Sequence, residues 1–389
     1  MKKLAYLMIF VLAVVSFNSC SDDDDDDDGS SGFVADPADF KGEIESGDNV
    51  TLDATKTYKL TGSLIVKDGA TLTIPAGTTI EATAVSGSST QVRYIAVAQG
   101  GKINVNGTAA SPVVMTSETK STESWGGLVL CGKAPTNKSD SGTAGAEVSG
   151  LAYGGTVAND NSGSIKYLRL EYTGYKYSDT KEFNGLSCFG VGSGTAIDYI
   201  VSYMGGDDGM EFFGGTVNAS HLMSYQSGDD GIDFADGWSG TGEYWYALNS
   251  AKSGIEGSNS ENNGAATPMT TVTLNNLTVY GMTEKPYYLK EGAGIQTIDN
   301  IVIGGLVETK QQAYFYTDDT DTNAAARITA GDIDVTNAKF GTLATGQTKA
   351  VTGLTIGENA SATGAGNGVA KPSWLPDAMA TGITFPSSL

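Results

Sequence analysis

The 389-residue chain holds a single histidine, His221, and three cysteines, Cys20, Cys131 and Cys188. One imidazole excludes any site built on two or more histidines, and so few thiols exclude a disulfide framework. Arginine is nearly as scarce, at Arg93, Arg169 and Arg327, too few to clamp a polyanion through guanidinium pairs. Positive charge is short overall: 23 Lys and Arg face 45 Asp and Glu, a formal net charge of -22. The basic footprint that nucleic acid requires is missing, so no nucleic-acid partner is expected. Beyond the amino terminus no apolar run approaches the ~20 residues of a membrane-spanning helix. Apolar residues at helical i, i+3, i+4, i+7 spacing are almost absent too.

What is present starts at the amino terminus. Lys2 and Lys3 precede an apolar run over residues 4–17, and small Ser19 precedes Cys20. The pattern predicts a signal peptide over residues 1–19, with Cys20 as the lipidated first residue of the mature chain. Residues 20–32 then form a linker with seven consecutive aspartates at 22–28, kept extended by their own repulsion, and a short Gly/Ser spacer. The loose lipobox Ser16-Phe17-Asn18-Ser19-Cys20, followed at once by aspartates, resembles the surface-export signal of lipoproteins from Bacteroidota. That resemblance implies an acylated protein anchored in the outer membrane and exposed at the cell surface.

The folded part is expected over residues 33–389. Its 52 glycines are spread along the chain, and β-branched residues fall in short alternating runs such as Ala70-Thr71-Leu72-Thr73-Ile74, the pattern of an all-β chain with many tight turns. A repeat distinguishes a solenoid from a sandwich. Gly206-Asp207-Asp208-Gly209-Met210-Glu211-Phe212 recurs 22 residues later as Gly228-Asp229-Asp230-Gly231-Ile232-Asp233-Phe234. Asn184-Gly185-Leu186-Ser187-Cys188 and Ser253-Gly254-Ile255-Glu256 fit the same frame at offsets of 24 and 23. Rungs of about 22–24 residues fit a single-stranded parallel β-helix, in which each strand pairs with its equivalent one rung on, ~4.8 Å away. Tyr172, Tyr203 and Tyr225 are expected to stack as a second column. Residues 33–55 are expected to cap the first rung, and residues 340–389 the last.

Three stretches bring a family into view: residues 64–80, which begin Leu64-Ile65-Val66-Lys67-Asp68-Gly69, residues 125–134, which begin Trp125-Gly126-Gly127, and the paired Gly-Asp-Asp-Gly. Together they resemble the right-handed parallel β-helix lipoproteins of Bacteroidota, within the wider pectate-lyase-like architecture. The resemblance implies the fold and the cellular address but no reaction.

Alternation points Met210, Phe212, Ile232 and Phe234 into the coil and places Glu211, Asp233 and Glu256 outside it in one column. With Asp207, Asp208, Asp229 and Asp230 at the adjoining turns, the surface is rich in carboxylate oxygen. Two uses stay open. Asp207, Asp208, Asp229, Asp230, Glu211 and Asp233 could ligate a hard cation such as Ca²⁺, or the ladder could be solvated and paired, with Lys252 on Asp229. The Asp-Gly pairs also suit tight turns. As catalytic groups, Asp207, Asp208, Asp229, Asp230 or Glu211 could serve a divergent polysaccharide lyase or hydrolase. The Asn-Thr-Asp, Gly-His-Gly and Arg-Ile-Lys signatures of β-helical polygalacturonases are missing, so a non-enzymatic role is favoured. His221 reads as a member of a stacked ladder. Cys188 points inward, and Cys131 is expected more than two rungs away, leaving two free buried thiols.

Trp238, Tyr244, Trp245 and Tyr246 lie on a glycine-rich stretch beside the second repeat and suit stacking on sugar rings, the alternative being that Trp245, with Tyr244 or Tyr246, begins the next strand and packs inside. The insertion at 257–269 is expected to emerge from the same flank. The resulting expectation is a surface lipoprotein that displays a glycan-binding face, as an accessory to an outer-membrane nutrient importer or, alternatively, as an adhesin.

Overall fold

The computed structural model describes residues 32–85, 91–178, 181–282, 284–306 and 313–389; Cys20 and the aspartate run lie outside the described residues. From Phe33 onward the chain packs as one unit. It is a right-handed parallel β-helix whose main sheet joins 24 strands.

Each rung contributes to three faces. The long strands Gly163–Glu171, Ala196–Tyr203, Asn218–Tyr225, Thr241–Leu248, Thr271–Tyr280, Ile295–Gly304 and Ile333–Phe340 run along a first face, bend, and continue along a second. Each bend is one residue in the left-handed region: Tyr167, Tyr199, His221, Tyr244, Asn276, Asn300 and Asn337, with φ between 51° and 61°. That conformation costs a side-chain-bearing residue roughly 1–2 kcal/mol. Stacking offsets it here, since ring centroids lie 4.3 Å apart for Tyr167–Tyr199, 4.2 Å for Tyr199–His221 and 5.0 Å for His221–Tyr244. The column continues as an amide ladder, Asn300 Nδ2 donating to Asn276 Oδ1 at 2.7 Å. His221 is thus a corner residue, its Nδ1 2.7 Å from Asp198 Oδ1.

Short strands make the third face, among them Leu186–Phe189, Met210–Phe213, Ile232–Ala235, Ser253–Ser258 and Lys285–Lys290. Their register sets Leu186 against Met210, Met210 against Ile232, and Ile232 against Ile255, all fully buried in the coil. This is the repeat frame read from the sequence. The tyrosine column is shifted by one residue: Glu171, not Tyr172, lies opposite Tyr203, because Tyr172 is left-handed (φ 60°) and ends its strand. Tyr203 and Tyr225 do stack, 5.5 Å apart.

The thiols are both free and buried, but not through rung distance. Leu128–Cys131 pairs directly with Leu186–Phe189, setting Cys188 opposite Leu130 and Cys131 opposite Phe189. Adjacent positions in a strand face opposite ways. Cys188 therefore points into the coil, while Cys131 points outward under Ala146, Val148 and Tyr153. Residues 132–162 are an insertion that lengthens one rung, so counting residues overestimated the separation.

Phe33 packs against Phe40 (6.2 Å, edge-on) at the amino-terminal end. At the other end the helix Thr322–Ala330 buries Ala324 and Ile328 against the core. Residues 359–389 do not seal that end. They turn back along the outside of the second face, where Leu375 and Met379 join Val201, Met223 and Tyr246 in a separate apolar cluster. Arg169 Nη1 donates to the Met379 carbonyl at 2.6 Å and fixes this return.

Candidate functional site

The second aspartate of each Gly-Asp-Asp-Gly ties rungs together. Asp208 Oδ1 accepts the Asp230 backbone N–H at 2.8 Å, and Asp230 Oδ1 accepts the Ser253 N–H at 2.5 Å. The closing glycine is needed because rungs meet tightly at this turn. A methyl group on Gly209 would stand 2.5 Å from the Gly231 carbonyl oxygen and closer still to the Ser224 hydroxyl. Gly231 meets the Gly254 carbonyl at the same distance. The turns between the second and third faces are thereby stacked in register, and their carboxylates stack with them.

Glu211, Asp233 and Glu256 lie in one cross-rung column, as alternation predicts. They stand outside the coil yet are not solvated in the expected way: Glu256 is buried and Asp233 is only 9% exposed. Carboxylate oxygens group in overlapping threes, Asp207–Asp208–Asp229, Asp208–Glu211–Asp233 and Asp230–Asp233–Glu256, with the oxygens of each group within 4.8 Å of one another. Seven carboxylates thus occupy one continuous site. Lys252 pairs with Asp229 at 2.5 Å, as the sequence frame suggested, and Lys290 pairs with Glu256 at 2.7 Å. Lys285 lies over the Tyr288 ring, 3.7 Å from its centroid. Asn184 Nδ2 donates to Glu211 Oε2 at 2.6 Å.

Burial is the main cause that raises the affinity of these carboxyls for protons, and their neighbours' charges add to it. Asp208, Glu211, Asp230 and Asp233 are all held well above the usual range in this way. Asp207 is pushed up to about 8, by desolvation first and then by Asp229. For Asp230 the charge of the neighbouring Glu256 is the largest contribution after burial. Two buried oxygens of the set have no hydrogen-bond partner, Asp229 Oδ1 and Asp233 Oδ1. An unpaired buried carboxylate oxygen is costly. A hard divalent cation accepts such oxygens at 2.3–2.6 Å. The deepest trio, Asp230, Asp233 and Glu256, fits one, since it combines three carboxylates with the orphaned Asp233 oxygen.

Two adjoining clefts open this column to solvent. One, of about 270 Å³, is lined by Asp208, Asp229, Asp230, Asp233, Glu256 and the three lysines. The other, of about 400 Å³, shares Asp229 and Lys252 and adds Asp207, Gln226, Lys176 and Glu182.

The aromatic cluster is elsewhere and has another job. Trp238 and Trp245 are fully buried inside the coil, stacked on Phe212 at 4.9 and 5.8 Å. Each indole N–H is spent on a backbone carbonyl, Val217 for Trp238 and Ala219 for Trp245, both at 3.0 Å. Tyr246 is buried under the carboxy-terminal return and donates to the Val369 carbonyl. Tyr244 stacks on His221 at the far corner. The sugar-stacking role is therefore corrected for Trp238 and Tyr246, which are fully buried, the first in the coil and the second under the return; Trp245 takes the alternative, core packing, and Tyr244 does not adjoin the acidic column. The 257–269 insertion does not flank an aromatic face either. It is clasped by Asn137, whose Nδ2 donates to the carbonyls of Asn259 (3.2 Å) and Pro268 (3.0 Å).

Sequence reasoning assigned no role here to Asn184, which lies inside the repeat frame, or to Lys290, and missed Lys285 and Tyr288. The 257–269 insertion lengthens the rung after Glu256, so the ladder partner of Glu256, Tyr288, could not be counted out at the repeat spacing.

Fold and site together define a three-faced parallel β-helix carrying a buried carboxylate column that opens into a cleft. The chain belongs to the pectate-lyase like beta helix domain family, whose match covers residues 42–379. No curated protein and no solved structure matches it.

Proposed function

We propose that this chain is a lipid-anchored β-helical protein of the outer membrane surface that binds a glycan in its acidic cleft, with a divalent cation such as Ca²⁺ held by Asp230, Asp233 and Glu256. One observation carries the reading: seven carboxylates share a single open site in which Asp233 Oδ1 is buried without a partner. Carboxylates accept hydroxyl hydrogens, and a cation set among them offers further ligand positions to vicinal hydroxyls. The surplus of negative charge in the cleft disfavours polyanions, so the glycan is uncharged. Binding is favoured over hydrolysis because the Asn-Thr-Asp, Gly-His-Gly and Arg-Ile-Lys signatures of β-helical polygalacturonases are missing from the sequence.

Thermal melts and calorimetry on the purified soluble domain test the cation. Millimolar Ca²⁺ should raise the melting temperature by several degrees over chelator, and Asp233→Asn and Glu256→Gln should abolish the shift. An unchanged melt would remove the metal. Gel-affinity electrophoresis against arabinan, galactan, xylan and mannan tests the glycan. Release of reducing ends from any of them would overturn the non-enzymatic reading.

A further inference from the structure

Tyr177 is 54% exposed, one of three large apolar residues so displayed among the described residues. A lone exposed aromatic needs no explanation by itself; its mounting sets this one apart. It stands in a hairpin whose strands Lys176–Ser178 and Lys181–Glu182 pair Lys176 with Glu182, an ion pair at 2.9 Å. Phe183, fully buried, anchors the hairpin base, with its ring 6.1 Å from Tyr177 and 5.1 Å from Tyr94. Tyr177 is thus a ring on a braced support.

Beside it lies a groove of about 410 Å³ lined by Tyr177, Tyr94, Ser63, Gln91, Val92 and Lys41. The aliphatic stem of Lys41 packs over Gly62, its Cδ 3.2 Å from the place a methyl group there would take, so the groove is formed by that stem, two tyrosine rings and the polar Ser63 and Gln91. Aromatic faces edged by hydroxyl and amide groups are suited to the apolar face and equatorial hydroxyls of a pyranose. Alternation along the strand turns Tyr177 away from Lys176. Lys176 and Glu182 line the acidic cleft, so one hairpin supplies a wall to both depressions. On the third face Tyr94 immediately precedes Ile95, which stacks through Leu128 and Leu186 to Met210, next to Glu211. Three rungs separate the two sites, about 15 Å along the solenoid axis at ~4.8 Å per rung.

We infer that the Tyr94–Tyr177 groove is a second, stacking subsite for an uncharged polysaccharide whose chain runs along the solenoid axis from this groove into the acidic cleft. The inference rests on the glycan reading of the cleft and adds to it a polymeric ligand and its direction. Short oligosaccharides fill the cleft alone; longer ones reach Tyr177.

The test uses the soluble domain with Ca²⁺, the neutral polysaccharides arabinan, galactan, xylan and mannan, and a length series of oligosaccharides from whichever is retained. Tyr177→Ala should lose about tenfold in affinity for the polymer and long oligosaccharides, with short ones unchanged and the melting temperature preserved. Tyr177→Phe should restore the wild-type values, and Asp233→Asn should weaken every length. Equal affinities of wild type and Tyr177→Ala at all lengths would overturn the subsite while leaving the cleft reading intact. Failure of the wild-type protein to retain any of the four polysaccharides would overturn both.

Discussion

Within each Gly-Asp-Asp-Gly the two aspartates divide their work. Asp208 and Asp230 close the turns onto the next rung, whereas Asp207 and Asp229 line the open cleft. The cost of the arrangement is visible in proton affinity. Unfolded, these carboxyls titrate near 4; folded, they keep their protons to higher pH, Asp207 to about 8. Below pH ~4 both states are protonated and burial carries no charge penalty. Between there and the folded values the folded chain binds more protons than the unfolded one, so stability falls as pH rises. In chelator the domain should therefore melt at a higher temperature at pH 5 than at pH 8. Calcium should erase most of that difference, because it replaces the protons and releases them on binding. Melting curves at the two pH values, with and without Ca²⁺, check this; a domain equally stable at both in chelator would mean that the carboxylates are solvated. The aspartates and their spacing were legible in the sequence. Their surroundings were not, since these include groups from other rungs, such as the Glu147 charge and the Asn184 amide that act on Glu211.

At the level of elements, the carboxy-terminal return is the main departure from a simple coil. Residues 359–389 cover Val201, Met223, Tyr246 and Leu248 on the outside of the second face, through Ala365, Leu375 and Met379. Two or three such side chains contribute ~1.5–3 kcal/mol each when buried. A chain ending at Glu358 should thus lose roughly 5 kcal/mol of stability and bind a hydrophobic dye, as thermal melts and dye fluorescence would show. A truncated chain with an unaltered melt would make the return an ornament. Sequence pattern could announce that the repeat fades after residue 340, but not where the tail goes. The outward residues of the second face give the hint in retrospect: Val201, Met223 and Tyr246 form one cross-rung column that is apolar where water was expected.

For the whole molecule, the amino terminus and the solenoid belong to one proposal: an acyl chain on Cys20 and an acidic linker that hold the binding cleft clear of the bilayer. Replacing Cys20→Ala should move the protein from the detergent phase to the aqueous phase in phase partitioning and abolish palmitate labelling. Labelling that persists would place the anchor elsewhere. With a net charge of -22, the surface also repels anionic polymers in low salt.

The sequence by itself determined the all-β class, the rung length and the in-register acidic column. A solenoid repeats its environment every turn, so equal side chains recur at equal spacing and can be read without coordinates. Tertiary structure decided what that spacing could not carry. Insertions at 132–162 and 257–269 break the frame, so the neighbours of Cys131 and Glu256 could not be counted out from the sequence. Indole and phenol groups look alike in sequence whether they face a ligand or a core. Trp238 and Trp245 went inside because the coil at that rung has room for two stacked rings on Phe212 and a carbonyl for each N–H. Tyr177 stayed outside because its hairpin stands off the coil on Phe183.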